Sequence, residues 1–198
     1  MLVSGLMLLS VLLAACAPAA TPTATPIAAP AQAQTTFSSK IYKLPMSVSF
    51  GSDWHILDDF TDLVTVASKQ KDWELGFNIV TNAKLVDPIN GNQIPFPEDF
   101  VSWVKSNPNF KADEPTEVTV AGIKGLQIVA TVTATKQTSF LYMSGTKWNM
   151  LPSEMWRFIL LNDVNGERVL ITLVAAPDQF KDFVQQSQSI LDSVAFTK

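Results

Sequence analysis

Cysteine and histidine are nearly absent from this 198-residue chain, which contains one of each, Cys16 and His55. A disulfide within the chain would need a second cysteine, so the folded part must be stabilised by packing. A structural zinc site needs about four nitrogen or sulfur ligands, which these two residues cannot supply. A Ser-His-Asp triad would have to use His55, and no Gly-x-Ser-x-Gly motif accompanies it. These absences favour a protein that is not an enzyme and that holds no metal or cofactor.

Three further features are missing, and each excludes a class of function. Positive charge is not in excess, because the net charge is −4, which disfavours nonspecific binding to nucleic acid. The eight glycines are scattered, so the sequence has no glycine-rich phosphate loop. The N-terminal apolar run from Leu6 to Leu13 is shorter than the roughly 20 residues that a membrane-spanning helix needs. We therefore expect neither a nucleic-acid partner nor a helix that crosses the membrane.

The N-terminal run instead has the form of a bacterial lipoprotein signal peptide. It ends in Leu13-Ala14-Ala15-Cys16, where small residues precede the cysteine as a signal peptidase requires. We expect residues 1–15 to be removed and Cys16 to carry a diacylglyceryl group and acyl chains such as palmitate, which anchor a protein stably. The expected location is the extracytoplasmic face of the bacterial cell membrane, with lipid on Cys16 as the membrane contact. The alternatives are an ordinary buried cysteine and an uncleaved anchor helix.

Residues 16–39 contain the lipidated cysteine and a stretch rich in proline, alanine and threonine. Pro18, Pro22, Pro26 and Pro30 recur every four residues, and no charged residue occurs before Lys40. Such a composition cannot build a core, so we expect a disordered tether that extends up to about 70 Å. Residues 40–198 carry every charged side chain and are long enough for one globular domain.

Strand patterns dominate this domain. Short apolar or alternating runs predict strands at residues 46–50, 54–60 and 63–67 and a strand with one buried face at 73–79. A hairpin is predicted at residues 118–132, and a second joins 156–161 to 169–175 through Asn165-Gly166. The second hairpin is apolar at nearly every position, as in strands that are covered on both faces. Helices are predicted after Pro97 and from Pro177 to about Ser193. Together these elements predict an α+β fold, an antiparallel β-sheet flanked by helices.

Three stretches resemble a known family. They are residues 44–54, residues 118–125, and residues 157–180 with the Asn-Gly turn and Ala-Ala-Pro-Asp-Gln-Phe. They resemble PsbP-like domains of the superfamily that also contains the Ran-binding Mog family. The resemblance implies an αβα sandwich around an antiparallel sheet. It also implies a protein that binds or assembles, since the superfamily includes extrinsic photosystem subunits, small-GTPase partners and bacterial envelope lipoproteins. No family site residue matches a position in this sequence.

Acidic residues form two clusters that resemble weak cation sites. Asp58, Asp59 and Asp62 form the densest cluster, which we interpret as a polar turn rather than a site for a hard cation. Asp163, Asn165 and Glu167 have the spacing that begins a calcium loop. However, the glycine comes two positions too early and the bidentate acid is missing. We predict a turn there.

Aromatic and methionine residues crowd the region around residue 148, outside the predicted strands. The possible partner surface consists of four residues: Tyr142, Trp148, Met150 and Trp156. Such side chains are typical of recognition surfaces, but they are equally typical of a buried sheet edge, which we favour.

The sequence therefore predicts a membrane-anchored, noncatalytic binding or assembly module with an unknown envelope protein as its partner. Two alternatives remain open. One is an envelope hydrolase or transferase with an Asp or Ser site, which would need a polar cleft near His55. The other is a carrier of a small apolar ligand, which would need a cavity between sheet and helix.

Substitution Cys16→Ser tests the anchor. Because lipid is attached through the thiol, we expect the variant to lose all incorporation of radiolabelled palmitate in growing cells and to leave the membrane fraction. Wild-type protein at the same expression level is the control. Labelling that persists in the variant would contradict the lipoprotein assignment.

Overall fold

The computed structural model describes residues 34–143 and 145–197. Within these residues the chain forms fifteen strands and two helices. The strands are β1 (Gln34–Ser38), β2 (Met46–Gly51), β3 (Trp54–Asp59), β4 (Leu63–Ser68), β5 (Glu74–Ile79), β6 (Lys84–Val86), β7 (Gln93–Pro95), β8 (Phe110–Ala112), β9 (Thr116–Val120), β10 (Ile123–Val132), β11 (Thr138–Met143), β12 (Thr146–Met150), β13 (Met155–Val164), β14 (Glu167–Ala175) and β15 (Ala195–Phe196). The helices are α1 (Phe100–Ser106) and α2 (Pro177–Asp192). Cys16, the predicted signal peptide and most of the predicted tether lie outside the described residues.

The strands form three antiparallel sheets. The central sheet has eight strands in the order β3-β4-β5-β14-β13-β10-β8, and β9 pairs with the first half of β10. A three-stranded sheet has the order β1-β2-β15, and a four-stranded sheet has the order β12-β11-β6-β7. The prediction of a mainly antiparallel fold is confirmed.

The hairpin of β13 and β14 occupies the middle of the central sheet, as the Asn-Gly signal predicts. Asn165 and Gly166 have φ angles of 53° and 87°, the left-handed values that a tight hairpin turn requires. The Asp163 carboxylate accepts a hydrogen bond from the Gly166 amide at 2.9 Å. The acidic spacing from Asp163 to Glu167 therefore serves the turn, as expected from the sequence.

Both faces of this hairpin are covered. Ile159 and Ile171 pack in a cluster with α2 and the three-stranded sheet, whereas Phe158 and Leu170 pack in a second cluster with α1 and the four-stranded sheet. The burial on both faces confirms the prediction from the apolar composition. The αβα sandwich is met only in part, because each face is covered by one helix together with a small sheet rather than by helices alone.

The two helices begin and bury residues as the sequence predicts. In α1 the Asp99 carboxylate caps the N-terminus by accepting from the Ser102 amide at 2.9 Å, and Phe100 and Val104 are buried. In α2 the buried stripe includes Phe183, whose ring stacks on Trp73 with centroids 5.3 Å apart. Neither helix in the described part of the chain is long and apolar enough to cross a membrane.

The structure corrects three details of the sequence analysis. Residues 34–38, placed in the tether, form β1, which pairs with β2 and packs Phe37 against the core. The tether boundary at residue 39 is therefore wrong, because the proline repeat already ends at Pro30 and the following residues favour a strand. The strand at 73–79 is buried on both faces, since consecutive residues of β5 from Leu75 to Ile79 are all buried, and Asn78 donates to the Leu170 carbonyl at 2.9 Å. The aromatic region around Trp148 forms the regular strands β11 and β12 rather than irregular chain.

Gly125 offers a test of the central register. An added Cβ would lie 2.4 Å from the Leu160 carbonyl oxygen of the neighbouring strand, and backbone in the middle of a sheet cannot move away cheaply. We expect Gly125→Ala to lower the free energy of unfolding by about 3 kcal/mol, as measured by urea denaturation. The matched control is Gly166→Ala, whose Cβ would meet nothing within 4 Å, so only the cost of positive φ, about 1 kcal/mol, applies. Equal losses in the two variants would contradict the close packing of β10 against β13.

Candidate functional site

A groove of about 560 Å³ lies between α2 and the central sheet. Its apolar wall is formed by Val129 of β10 and by Phe180 and Val184 of α2. Three polar uncharged residues, Thr116, Gln127 and Gln188, also line it. Its volume is within the range of roughly 300–1,000 Å³ that is common for small-molecule sites. The groove is therefore large enough for a ligand.

One buried charge lies in this groove. Arg157 is part of β13, and because side chains alternate along a strand it shares the α2-facing side with Ile159 rather than the opposite side with Phe158. In the sheet it is opposite Val129 on one side and Leu173 on the other. Only 7% of its surface is exposed. An arginine so deep in an apolar strand is unusual and calls for a compensating partner.

The protein supplies that partner only in part. The Nε of Arg157 donates to Gln127 Oε1 at 2.7 Å, and Gln127 Nε2 in turn donates to Thr116 Oγ1 at 2.8 Å. Nη1 is buried with no acceptor in the described part of the chain. Within residues 34–143 and 145–197, the ion pairs join Lys43 to Glu167 and Lys105 to Glu114, and none involves Arg157. Burial lowers the pKa of Arg157 below its ordinary value, as expected for a charge taken out of water.

The acidic residues at the groove do not neutralise the guanidinium. Both carboxylate oxygens of Glu114 accept from the Lys105 ammonium at 2.9 Å, so this charge already has a partner. Asp113 lines the groove, and its backbone amide donates to the Val129 carbonyl at 2.9 Å. The main chain at this rim is therefore fixed to the sheet. Lys181 of α2 adds one exposed positive charge on the other side.

The chemistry available in the groove is binding of an anion. Arginine remains protonated at any physiological pH, so Arg157 is a hydrogen-bond donor and not an acid or base. Its planar nitrogens match the oxygens of a carboxylate or a phosphate. The sole histidine, His55, lies on β3, four strands away from β13 in the sheet order.

The possible partner surface is not assembled as one exposed patch. Met150 and Trp156 are buried at 0% and 3% exposure, so these two residues belong to the core, as the favoured interpretation of the sequence has it, and not to a partner surface. Tyr142 and Trp148 are half-buried on β11 and β12. Trp156 instead stacks on Phe158 with ring centroids 5.5 Å apart. This region is mainly core, because the four-stranded sheet covers one face of the central sheet.

The other predicted residues have structural positions. His55 is opposite Ala67 in the β3–β4 pair. Asp59 accepts a hydrogen bond from the Ser39 hydroxyl, which links the end of β3 to the segment after β1. Among the described residues, no three histidine, cysteine or acidic side chains are arranged to hold a metal ion.

Sequence analysis missed Arg157. The available signal was a single charge at the third position of the run from Met155 to Leu161, whose other residues are all apolar. A run of this kind predicts a strand buried on both faces, and a charge inside it has no access to water. Local sequence gave no sign of the groove, whose other walls come from α2 and from residues 113–129.

Comparisons with known proteins give a similar fold and no closer relationship. No protein-family model matches the sequence, and no curated protein matches it. A crystal structure of LpqN from Mycobacterium tuberculosis, described as involved in cell envelope biogenesis, is similar with a TM-score of 0.44 and 11% identity over 83% of this chain and 92% of that one. The solution structure of the cyanobacterial PsbP from Synechocystis sp. PCC 6803 is similar with a TM-score of 0.43 and 10% identity over the same shares. Identities this low do not transfer either protein's role to this chain.

The unsatisfied charge of Arg157 predicts an uncommon stability effect. Methionine has an unbranched side chain that reaches as far as the Nε position of arginine and needs no hydrogen bonds, so we expect Arg157→Met to raise the free energy of unfolding by about 1–2 kcal/mol. Gln127 lies at the groove surface, where water can replace the lost donor. The measurement is urea denaturation of both proteins. A clear loss of stability would show that the guanidinium is already satisfied within the fold and would contradict the description of this site.

Proposed function

We propose that the protein is a lipid-anchored, noncatalytic binding module of the cell envelope, and that the groove beside α2 binds an anionic group of its ligand. The observation that carries this proposal is the Arg157 guanidinium, 7% exposed and without an ion-pair partner in the described part of the chain. An anion bound in the groove would supply the negative charge that Arg157 lacks as a partner in the described part of the chain.

Energetics favour such a role. Removing an ionised group from water costs several kcal/mol even after the protein relaxes, unless an opposite charge and hydrogen bonds compensate. Here one nitrogen of Arg157 bonds to a neutral amide oxygen, which offsets only a fraction of that cost. A charge-assisted hydrogen bond contributes about 1.5–3 kcal/mol. Ligand binding would therefore recover free energy that the folded protein has lost.

The groove is suited to binding rather than to a reaction. Its charged residues are Asp113, Glu114, Arg157 and Lys181, and Glu114 is already held by Lys105. A hydrolase would need a nucleophile activated by a base within hydrogen-bond reach. The described contacts of Thr116, the one hydroxyl residue that lines the groove, include a bond from the Gln127 amide, which donates to the hydroxyl and does not activate it. A binding module is therefore the better proposal.

Attachment to the membrane is the role that we propose for the motif ending in Cys16. A lipid on this residue would hold the domain at the extracytoplasmic face of the membrane, where the lipidated residue is joined to the domain through residues 17–33. The anchor and the groove are then separate parts, one for location and one for binding. An envelope protein that delivers or receives the bound ligand is the partner that we propose.

Anion binding can be tested by NMR titration of the full chain carrying Cys16→Ser, with sodium acetate as the probe and sodium chloride at equal ionic strength as the reference. We expect the Arg157 Nε–Hε resonance and the Gln127 side-chain amide to shift and to saturate in the millimolar range, because a single small anion gains only a few hydrogen bonds.

Two variants make this test specific. Arg157→Gln is expected to abolish the acetate-dependent shift of the Gln127 amide. Lys84→Gln removes one positive charge from the four-stranded sheet on the opposite face and is expected to leave the titration unchanged. Shifts that are equal with chloride, or that persist in Arg157→Gln, would contradict a binding site at this residue.

A further inference from the structure

The groove combines a buried positive charge with an apolar wall, and from this combination we infer that its ligand is an aliphatic carboxylate, a single acyl chain with its carboxylate on Arg157 and its hydrocarbon along α2. This inference rests on the anion site proposed above and specifies the chemistry of the ligand. The charge and the wall face the same space, since Arg157 and Val129 are register partners and both line the groove.

The apolar wall is exposed where it meets the groove. Val129 and Val184 pack against the buried core cluster yet are only partly buried themselves, and Phe180 lies between the helix and the sheet. Apolar surface removed from water contributes to binding in proportion to its area. An alkyl chain lying on the partly exposed Val129 and Val184 would gain that contribution, whereas a small hydrophilic anion would not.

Backbone hydrogen bonding separates an acyl chain from a peptide. Val129 lies within the part of β10 that pairs with β13 on one side and continues to β8 on the other. The carbonyl of Val129 accepts from the Asp113 amide, and the α2 backbone bonds within its own helix. A bound peptide needs free main-chain donors and acceptors, whereas the Val129 carbonyl and the α2 backbone behind the apolar wall are already hydrogen-bonded. An acyl chain needs no such groups.

The charged residues at the rim of the groove favour a carboxylate over a phosphate as the anionic group of the ligand. Asp113 and Glu114 line the same groove as Arg157, and only one of these acids, Glu114, has an ion-pair partner. These rim acids would repel a phosphate with two negative charges more strongly than a singly charged carboxylate. A singly charged carboxylate matches one guanidinium.

The inference is tested by calorimetric titration of the full chain carrying Cys16→Ser. The probes are acetate, hexanoate, octanoate and decanoate, each below its micelle concentration, with 1-octanol, inorganic phosphate and N-acetyl-Leu-Leu for comparison. We expect the affinity to rise about twofold for each added methylene, half the logarithmic gain of full burial. Octanoate should bind at least tenfold more tightly than octanol or phosphate.

Paired variants assign the two ends of the ligand. Arg157→Gln is expected to weaken octanoate binding about tenfold or more, the value of a charge-assisted hydrogen bond, and to leave octanol unchanged. Val184→Thr keeps the shape of the side chain, adds a hydroxyl to the wall, and should weaken octanoate about threefold without affecting acetate. Val86→Thr, on β6 of the four-stranded sheet that covers the opposite face, should change neither.

The outcomes distinguish this inference from the function on which it rests. Equal binding of acetate and octanoate would overturn the acyl-chain assignment while the anion site at Arg157 stands. Tighter binding of N-acetyl-Leu-Leu than of decanoate would overturn it in favour of a peptide carboxylate. No saturable effect of any carboxylate on Arg157 would overturn the anion site itself.

Discussion

The hairpin of β13 and β14 is buried on both faces, and the rest of the domain is arranged around this constraint. A strand pair that is apolar on both faces must be packed against other elements on both. Helix α2 and the small β1-β2-β15 sheet cover one face, and helix α1 and the β12-β11-β6-β7 sheet cover the other. Each cover contributes its own cluster of aromatic rings, with Trp73 and Phe183 stacked on one face and Phe100 set edge-on against Phe158 on the other. Without a disulfide, this double packing is the source of stability.

The same burial on both faces makes the position of Arg157 unusual. In a strand with one wet face a charged residue simply points to water, but β13 has no such face. The guanidinium lies at the groove between α2 and β10, where its Nε donates to the Gln127 side-chain oxygen. A protein selected for stability alone would place an apolar residue here. The retained charge therefore connects the packing of the core to the proposed binding function, since the groove exists only because the cover over the hairpin is incomplete.

Much of the fold was predictable because its signals are local. The Asn165-Gly166 turn depends on two residues that tolerate positive φ, and the stripe of α2 depends on a spacing within one helix. The errors have a common cause. Strand β1 was missed because its pairing with β2 is a contact between separate segments. In β5, the alternation placed Gly76 and Asn78 on an exposed face, but β5 lies between β4 and β14 in a sheet that is covered on both faces. Met150 and Trp156 were kept as a possible surface beside the favoured core interpretation, because composition does not reveal which side of a strand is covered.

By itself, the sequence determined the features that one stretch of chain can encode. These are the predicted processing motif that ends in Cys16, the charge-free proline segment behind it, the central hairpin and the two amphipathic helices. Only the tertiary structure decided where a ligand can bind. Arg157 is hydrogen-bonded to Gln127, which is 30 residues away in the sequence. Phe180 and Val184, which form part of the groove wall, belong to a helix that follows the hairpin in the sequence. Burial and the lack of an ion-pair partner are relations among distant segments, so the charge acquires its significance only when the chain has folded.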